Sequence, residues 1–264
     1  MFQKILIVES GKDSKTHLET IEKVRDILNS KEFNIKKSDE LEKTDFENLD
    51  LVLTIGGDGT FIKAAHYIIN ETPILGINSE PEFSEGYLKS IKNNELEKLK
   101  EILNGNFKII KRQRAKIIHN NKEIEFPALN DVYIGSAYQF HTSRYDIEFK
   151  GKTEEHRSSG VVVSTGTGST AWFESAGGNT FNFEEEKLQF IVREPYTGNI
   201  YNPTILKGEI NPGEELTIKS KRTEGGIIAL DSNRTFEFDI GCIVKISPSK
   251  KPLNVIIYSE KFVS

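Results

Sequence analysis

The sequence predicts an α/β domain with a parallel sheet over residues 1–105, followed by a mainly β domain over residues 106–252. Three observations lead there. From Lys4 to about Leu103, short apolar runs alternate with helical patterns, as in a parallel sheet covered by helices. After about Asn106 the hydrophobic period falls to two, the period of a β-strand. In the first part, "GGDGT" (Gly56 to Thr60) separates a strand-like run from a helical one, a junction found at the carboxyl end of parallel strands.

"KILIV" (Lys4 to Val8) has the continuous apolar character of a buried strand, and Leu18, Ile21, Val24 and Leu28 then recur at helical spacing. "LDLVLTI" (Leu49 to Ile55) is the next strand and "FIKAAHYII" (Phe61 to Ile69) a helix. "PILGI" (Pro73 to Ile77) is a strand, and Leu96, Leu99 and Leu103 mark another helix. The domain changes near "NGNF" (Asn104 to Phe107). "AKIIHNNKEIEF" (Ala115 to Phe126) reads as a hairpin turning at Asn120 and Asn121, and "DVYIG", "YDIEFKG", "EELTIKS" and "FEFDIGCIVKIS" continue the β character. The last run, "NVIIYSE" (Asn254 to Glu260), suits either domain, so residues 253–264 are expected as a tail able to pack back on the first.

Composition narrows the function. A chain of 264 residues with 36% hydrophobic and 28% charged residues can bury a large core, which argues against disorder. No stretch approaches the roughly 20 apolar residues of a membrane span, and "MFQKILIVES" is too soon interrupted by Glu9 for a secretory signal, so a cytoplasmic location is expected. The single cysteine, Cys242, leaves no internal disulfide and no multi-cysteine zinc site, and reads as a small core residue. A net charge of −5 lacks the strong basic field of a nucleic-acid binder. An anionic ligand would need local positive groups.

The "GGDGT" element raises a contradiction. Glycines at a strand-to-helix junction let backbone N–H groups approach a phosphate, and the helix start adds partial positive charge. Asp58 in the middle of such a cradle would repel the phosphate, so a loop that only held phosphate would not carry it. A carboxylate with a reference pKa of about 3.9 is ionised at neutral pH and can take a proton from a hydroxyl nucleophile. The plainer reading of Asp58-Gly59 is a tight turn. The second part holds another such loop, "STGTGST" (Ser164 to Thr170), after the β-branched "GVVV" and before a helix expected near Ala171. Its small hydroxyl residues can hydrogen-bond a phosphate or ribose. Gly166, Gly168 and Ala171 match G-x-G-x-x-A with Glu185 about twenty residues on, but the β-rich surroundings make a nicotinamide dehydrogenase a poor reading.

Taken together, GGDGT, Asn130-Asp131 inside "PALNDVYIG", and "STGTGSTAW" in a β-rich second domain resemble the NAD kinase family, with order and spacing covering almost the whole chain. "GINSEPEFSEGYL" (Gly76 to Leu88), "RSSGVVVSTGTGSTAW" (Arg157 to Trp172) and "IVREPY" (Ile191 to Tyr196) look like the kind found in animal mitochondria. The resemblance implies a Rossmann-like first domain and the transfer of the ATP γ-phosphate to the adenosine ribose 2′-hydroxyl of NAD, giving NADP and ADP. It implies that Asp58 activates that hydroxyl and that Gly56, Gly57, Gly59 and Thr60 hold nucleotide phosphate. Asn130 and Asp131 stand where the family contacts the adenosine portion, and Thr165, Gly166, Thr167, Gly168, Ser169 and Thr170 where it has its second nucleotide loop. Magnesium would arrive on ATP, held largely by phosphates and water, with no protein metal site. A homo-oligomer is implied, a dimer before a tetramer, with neither nucleic acid nor membrane as partner.

The chain departs from the commoner bacterial pattern at four places. Ser159-Gly160 stands for Asp-Gly, Thr165-Gly166-Thr167-Gly168 for Thr-Pro-Thr-Gly, Asp131 for Glu, and Asp231-Ser232-Asn233 for Asp-Gly-Gln, a triplet to which no ligand role is carried over. His156 and Arg157, just before the second loop, are candidate phosphate contacts, with an exposed loop pair as the alternative. Two other functions share parts of the pattern. GGDGT also belongs to diacylglycerol-type lipid kinases, and a catalytically silent NAD(P)-binding sensor could keep both loops without needing the carboxylate.

Overall fold

The structure is a computed structural model described over residues 2–83, 86–88, 90–138, 140–199 and 202–259. In chain order its elements are β1 (Lys4–Glu9), α1 (Lys15–Ile27), β2 (Glu32–Lys37), β3 (Leu51–Gly56), α2 (Asp58–Tyr67), β4 (Ile74–Asn78), β5 (Ile91–Lys92), α3 (Glu97–Leu103) and β6 (Phe107–Arg112). There follow β7 (Ala115–His119), β8 (Lys122–Glu123), β9 (Asp131–Ser136), β10 (Ser143–Phe149), β11 (Lys152–Ser158), β12 (Gly160–Ser164), α4 (Trp172–Ser175) and β13 (Leu188–Arg193). The chain closes with β14 (Lys207–Ile210), β15 (Leu216–Ser220), β16 (Gly226–Leu230), β17 (Arg234–Glu237), β18 (Ile243–Pro248) and β19 (Leu253–Tyr258). Two units result, residues 1–111 with 253–264, and residues 112–252.

In the first unit the apolar runs lie side by side in a sheet of order β2-β1-β3-β4-β19-β6, with β5 paired to the end of β4. β1, β2, β3, β4 and β19 pair in parallel. Ile5, Ile7, Leu53, Ile55, Leu75 and Ile77 share one cluster with Val24 and Leu28 on the side of α1, and with Leu99 and Ile102 of α3. β1 and β3 flank the point where the strand order reverses, since the chain leaves β1 for β2 on one side and returns as β3 on the other. Open parallel sheets leave a crevice outside the carboxyl ends of such strands, and Gly57 and Asp58 follow β3 there. One expectation for α1 fails. Leu18 is 47% exposed, and the inward positions belong to His17, Thr20 and Val24, because His17 finds hydrogen-bond partners on the sheet. The first unit also runs on to Lys111, later than the change near Asn104, because Phe107–Arg112 forms a strand beside β19. β19, from the stretch that suited either domain, lies beside β4; Met1 and residues 260–264 fall outside the described residues.

The second unit is built of two six-stranded sheets, of order β11-β10-β15-β18-β7-β8 and β14-β13-β12-β9-β16-β17, with antiparallel pairing throughout. Alternate residues of both, among them Ile117, Tyr145, Ile147, Ile218 and Val244 from one and Val132, Ile134, Val161, Val163 and Phe190 from the other, meet in a single core. The turn at Asn120 and Asn121 has φ of 48° and 64°, the left-handed geometry a two-residue hairpin needs and asparagine tolerates. β9 and β12 are buried along their whole length, because Phe173 and Trp172 cover the outer face at Tyr133 and Val162. α4 has only four residues. Cys242 is half-buried against the core.

Candidate functional site

In the first unit the local sequence builds a held carboxylate. Gly56 ends β3 at φ +152°, and a Cβ there would lie 2.6 Å from Thr60 Oγ1 and 2.9 Å from Ser10 Cβ, so only glycine fits. Gly57 then caps α2, whose first residue is Asp58. Asp58 is half-buried; its Oδ2 accepts the Tyr87 N–H at 3.1 Å and its Oδ1 the Leu88 N–H at 3.0 Å. Gly59 is exposed, with nothing within 4 Å of an added Cβ, while the Thr60 side chain is turned back toward Gly56 and buried. Asp58-Gly59 is therefore the first turn of a helix, and the hairpin-turn alternative fails. The segment that supplies the two amides belongs to "GINSEPEFSEGYL", of which Ser84 and Glu85 lie outside the described residues.

A second group of hydrogen bonds anchors that segment. His17, fully buried, places Nδ1 2.8 Å from Ser79 Oγ and Nε2 3.1 Å from Glu9 Oε2, which joins the ends of β1 and β4. Glu80 accepts from Lys12 Nζ at 2.5 Å and Ser14 Oγ at 2.6 Å. Gly86, at φ +66°, packs on the Asn78 side chain. Sequence reasoning passed over all of these, since His17 on a helix facing two polar strand ends leaves no periodic signal.

In the second unit the two remaining motifs interlock. Asn130 O accepts from Thr165 N at 2.9 Å and Ser164 Oγ at 3.3 Å, and a Cβ on Gly168 would lie 2.2 Å from that same oxygen. Gly166 is equally confined, since a Cβ there would lie 2.2 Å from Asn182 O. These glycines let the loop close onto the chain at 130 and 182. The loop hydroxyls divide accordingly. Thr165 is fully buried and donates to Leu129 O, and Ser169 is fully buried among Gly166 O, Phe181 O and Phe181 N. Thr167 is half-buried, with Oγ1 3.3 Å from Arg112 Nη1, and Thr170 is exposed. Asp131 is 6% exposed, and burial first, then the charge of Asp231, push its carboxyl up to about 7. Asn130 Oδ1 is buried with no hydrogen-bond partner.

Asp231, set aside in the sequence, is central here. Its carboxylate accepts the N–H groups of Leu129, Asn130 and Asp131 at 2.8, 2.7 and 2.9 Å. A short polar triplet between two strands was the available signal, though it pointed to a turn and not to what the turn holds. His156 departs from both of its readings. It lies within β11, fully buried and stacked on Tyr145 with ring centroids 5.7 Å apart, so it is neither exposed nor placed to meet a phosphate. Burial lowers its pKa, against the opposing pull of the Glu154 carboxylate, whose Oε2 lies 3.5 Å from His156 Nε2. Arg157 beside it is half-buried, 3.9 Å from Glu155. Among the described residues no group of three or more His, Cys, Asp or Glu side chains is placed to hold a metal ion. None of the described helices is long and apolar enough to cross a membrane.

Known proteins resemble the chain both in sequence and in fold. Residues 4–107 match the family model described as ATP-NAD kinase N-terminal domain. A probable NADH kinase of Oryza sativa is 27% identical over 268 residues, covering 92% of this chain and 82% of that protein. An NAD kinase of Clostridium tetani is 37% identical over 185 residues, 65% of this chain and 64% of that one. Among solved structures, an NAD kinase from Archaeoglobus fulgidus in complex with ATP superposes with a TM-score of 0.77 at 19% identity, covering 98% of this chain and 94% of that one. The yeast NADH kinase complexed with NADH gives 0.81 at 17%, covering 98% and 84%. Residues 4–107, which carry the GGDGT element, are thus similar to the N-terminal domain of NAD kinases, and the fold is shared with both solved structures over nearly its full length.

Proposed function

We propose that the protein transfers the γ-phosphate of ATP to the adenosine ribose 2′-hydroxyl of NAD, with Asp58 as general base. The observation that carries the reading is the Asp58 carboxylate, half-exposed at a glycine-lined strand-to-helix junction and oriented by two backbone amides. A carboxylate offers about four acceptor sites, and the two amides leave the others for a hydroxyl proton. The 2′-oxygen then attacks the γ-phosphorus as its proton passes to Asp58, the bond to the β-phosphate oxygen breaks, and ADP leaves. Little covalent work falls to the protein, so positioning carries much of the rate.

Gly57 and Gly59 supply the close backbone approach to phosphate, and Asn130 with Asp131 the adenosine contacts. The orphaned Asn130 Oδ1 supports the second role, since a buried acceptor without a donor is costly unless a ligand provides one. Within the second loop, Thr167 and Thr170 are the hydroxyls proposed to meet ligand; Thr165, Gly166, Gly168 and Ser169 shape the loop. ATP is proposed to enter as its magnesium complex. The mitochondrial-type placement rests on the three quoted segments, a homodimer on the family resemblance, and a cytoplasmic location on the single cysteine, which suits a reducing compartment.

The test is NADP formation from NAD, ATP and magnesium by the purified protein and by Asp58→Asn, beside a diacylglycerol phosphorylation assay. Turnover should fall roughly 10²–10⁴-fold in the variant, the range for losing a general base, with nucleotide affinity nearly kept. Normal turnover by the variant would make Asp58 structural. Lipid phosphorylation without NADP would replace the substrate, and tight NAD(P) binding without either product would favour the sensor.

A further inference from the structure

Asp231 and Ser232 both adopt left-handed backbone, φ +49° and +52°, in the turn from β16 to β17. Two adjacent non-glycine residues in that region are uncommon, and the surrounding structure has to hold them there. What holds them is reciprocal. The Asp231 carboxylate takes three consecutive amides, from Leu129, Asn130 and Asp131, and the Asp231 N–H donates to Asp131 O at 3.0 Å. The grip falls where β9 begins, on the two residues whose side chains are candidate nucleotide contacts.

Among the described residues, the strand neighbours of Asp131 are uncharged. On β12 it pairs with Ser164, which Thr165 follows; on β16 its neighbour in the chain, Val132, pairs with Leu230. Asp231 is the one charged group, among the described residues, that acts on the Asp131 carboxyl. Burial first, and the Asp231 charge after it, raise the Asp131 carboxyl above its ordinary value.

We propose that Asp231 is a positioning residue of the nucleotide site: its carboxylate and its N–H grip the backbone of Leu129, Asn130 and Asp131, and so set the Asn130 and Asp131 side chains for hydrogen bonds to the nucleotide. The proposal rests on reading Asn130 and Asp131 as nucleotide contacts. Asp131 then acts as an acid whose proton meets a ligand oxygen, and NAD binding weakens as pH rises through the neutral range. Loss of that proton removes a donor and adds a negative charge facing a ligand that carries phosphates.

The experiment compares wild type, Asp231→Asn and Asp131→Asn by carboxyl ¹³C NMR titration and by NAD titration calorimetry between pH 5.5 and 8.5. In the wild type, the Asp131 carboxyl should titrate near 7 and NAD affinity should fall up to about tenfold per pH unit above it. Asp131→Asn should abolish that titration and flatten the affinity profile. Asp231→Asn keeps the shape, removes the charge and turns an NH₂ group toward the amides. It should lower the Asp131 midpoint without restoring the ordinary 3.8, since burial remains, and weaken NAD binding roughly tenfold. Unchanged NAD affinity in a folded Asp231→Asn protein overturns the proposal. Should that variant not fold, a flat wild-type affinity profile overturns it equally. The NMR titration needs no NAD, so a shifted midpoint in a protein that binds none would overturn the nucleotide reading and leave the coupling of Asp231 to Asp131 established.

Discussion

Gly56 and Gly59 occupy one loop for different reasons, and alanine at each separates folding from ligand approach. At Gly56 an added Cβ would stand 2.6 Å from Thr60 Oγ1 and 2.9 Å from Ser10 Cβ, on a backbone at φ +152°. Strain of about 1–3 kcal/mol from the dihedral and a similar amount from overpacking predict that Gly56→Ala loses roughly 2–5 kcal/mol of first-unit stability. At Gly59 nothing lies within 4 Å, and the residue is the second of α2. Alanine there gains helix propensity, so Gly59→Ala should be more stable by about 0.5 kcal/mol. If a phosphate approaches the Gly59 backbone, however, the new methyl stands in its way, and ATP affinity should fall roughly tenfold or more, a loss above 1.4 kcal/mol. Thermal melts of both variants, with calorimetric titration of ATP, read the two effects separately. A Gly59→Ala protein that melts higher and binds ATP as the wild type does refutes the argument that this glycine serves the ligand.

Three further outcomes follow from burial. Asp131 keeps its proton in the folded state between about 3.8 and 7, while the unfolded chain has released it, so this group's contribution to stability falls as pH rises through that window. Asp131→Asn should remove the loss, on the order of a few kcal/mol at pH 8, visible as a higher melting temperature there than the wild type's and no such gain at pH 4. His156 has its pKa lowered by burial, so its contribution is present above the unfolded value and is lost as pH falls below it. His156→Phe should preserve the stack on Tyr145, resist acid better and leave ATP affinity unchanged; reduced ATP affinity would restore the phosphate-contact reading. Ser169→Ala removes an oxygen that meets Gly166 O, Phe181 O and Phe181 N, and should cost roughly 1–3 kcal/mol of second-unit stability with little change in KM. A large rise in KM with unchanged melting would place that hydroxyl on the ligand instead.

The fold was legible wherever burial writes a period. β1, β3 and β4 are continuous apolar runs because both faces of a central parallel strand are covered, and the β-rich part alternates because one face of each sheet meets the common core. Pattern failed where polar groups are buried in pairs. His17 displaced Leu18 from the inward face of α1 because two sheet-end partners lay within reach, and periodicity counts apolar residues only. β11, "KTEEHRS", has too many charges to read as a strand, yet its backbone pairs along its length with β10 and buries His156 and Ser158. Of the candidate site, glycine spacing and Asp58 were visible because they are local; what holds Asp58, Asn130 and Asp131 comes from positions about 30 and 100 residues away.

Those distant partners also explain why two similar aspartates should do different work. Asp58 and Asp231 are both carboxylates that accept consecutive backbone amides from another segment, so each is oriented before any ligand arrives. Asp231 receives three amides and is 8% exposed, which leaves little acceptor capacity and little access; its negative charge is felt through Asp131. Asp58 receives two, stands half-exposed at a helix start, and keeps roughly half of its acceptor sites open to a hydroxyl group. A general base needs a fixed direction and a free lone pair together. Of the two clamped aspartates, Asp58 alone offers both, so exchanging it for asparagine should strike turnover, whereas the same exchange at Asp231 should strike binding.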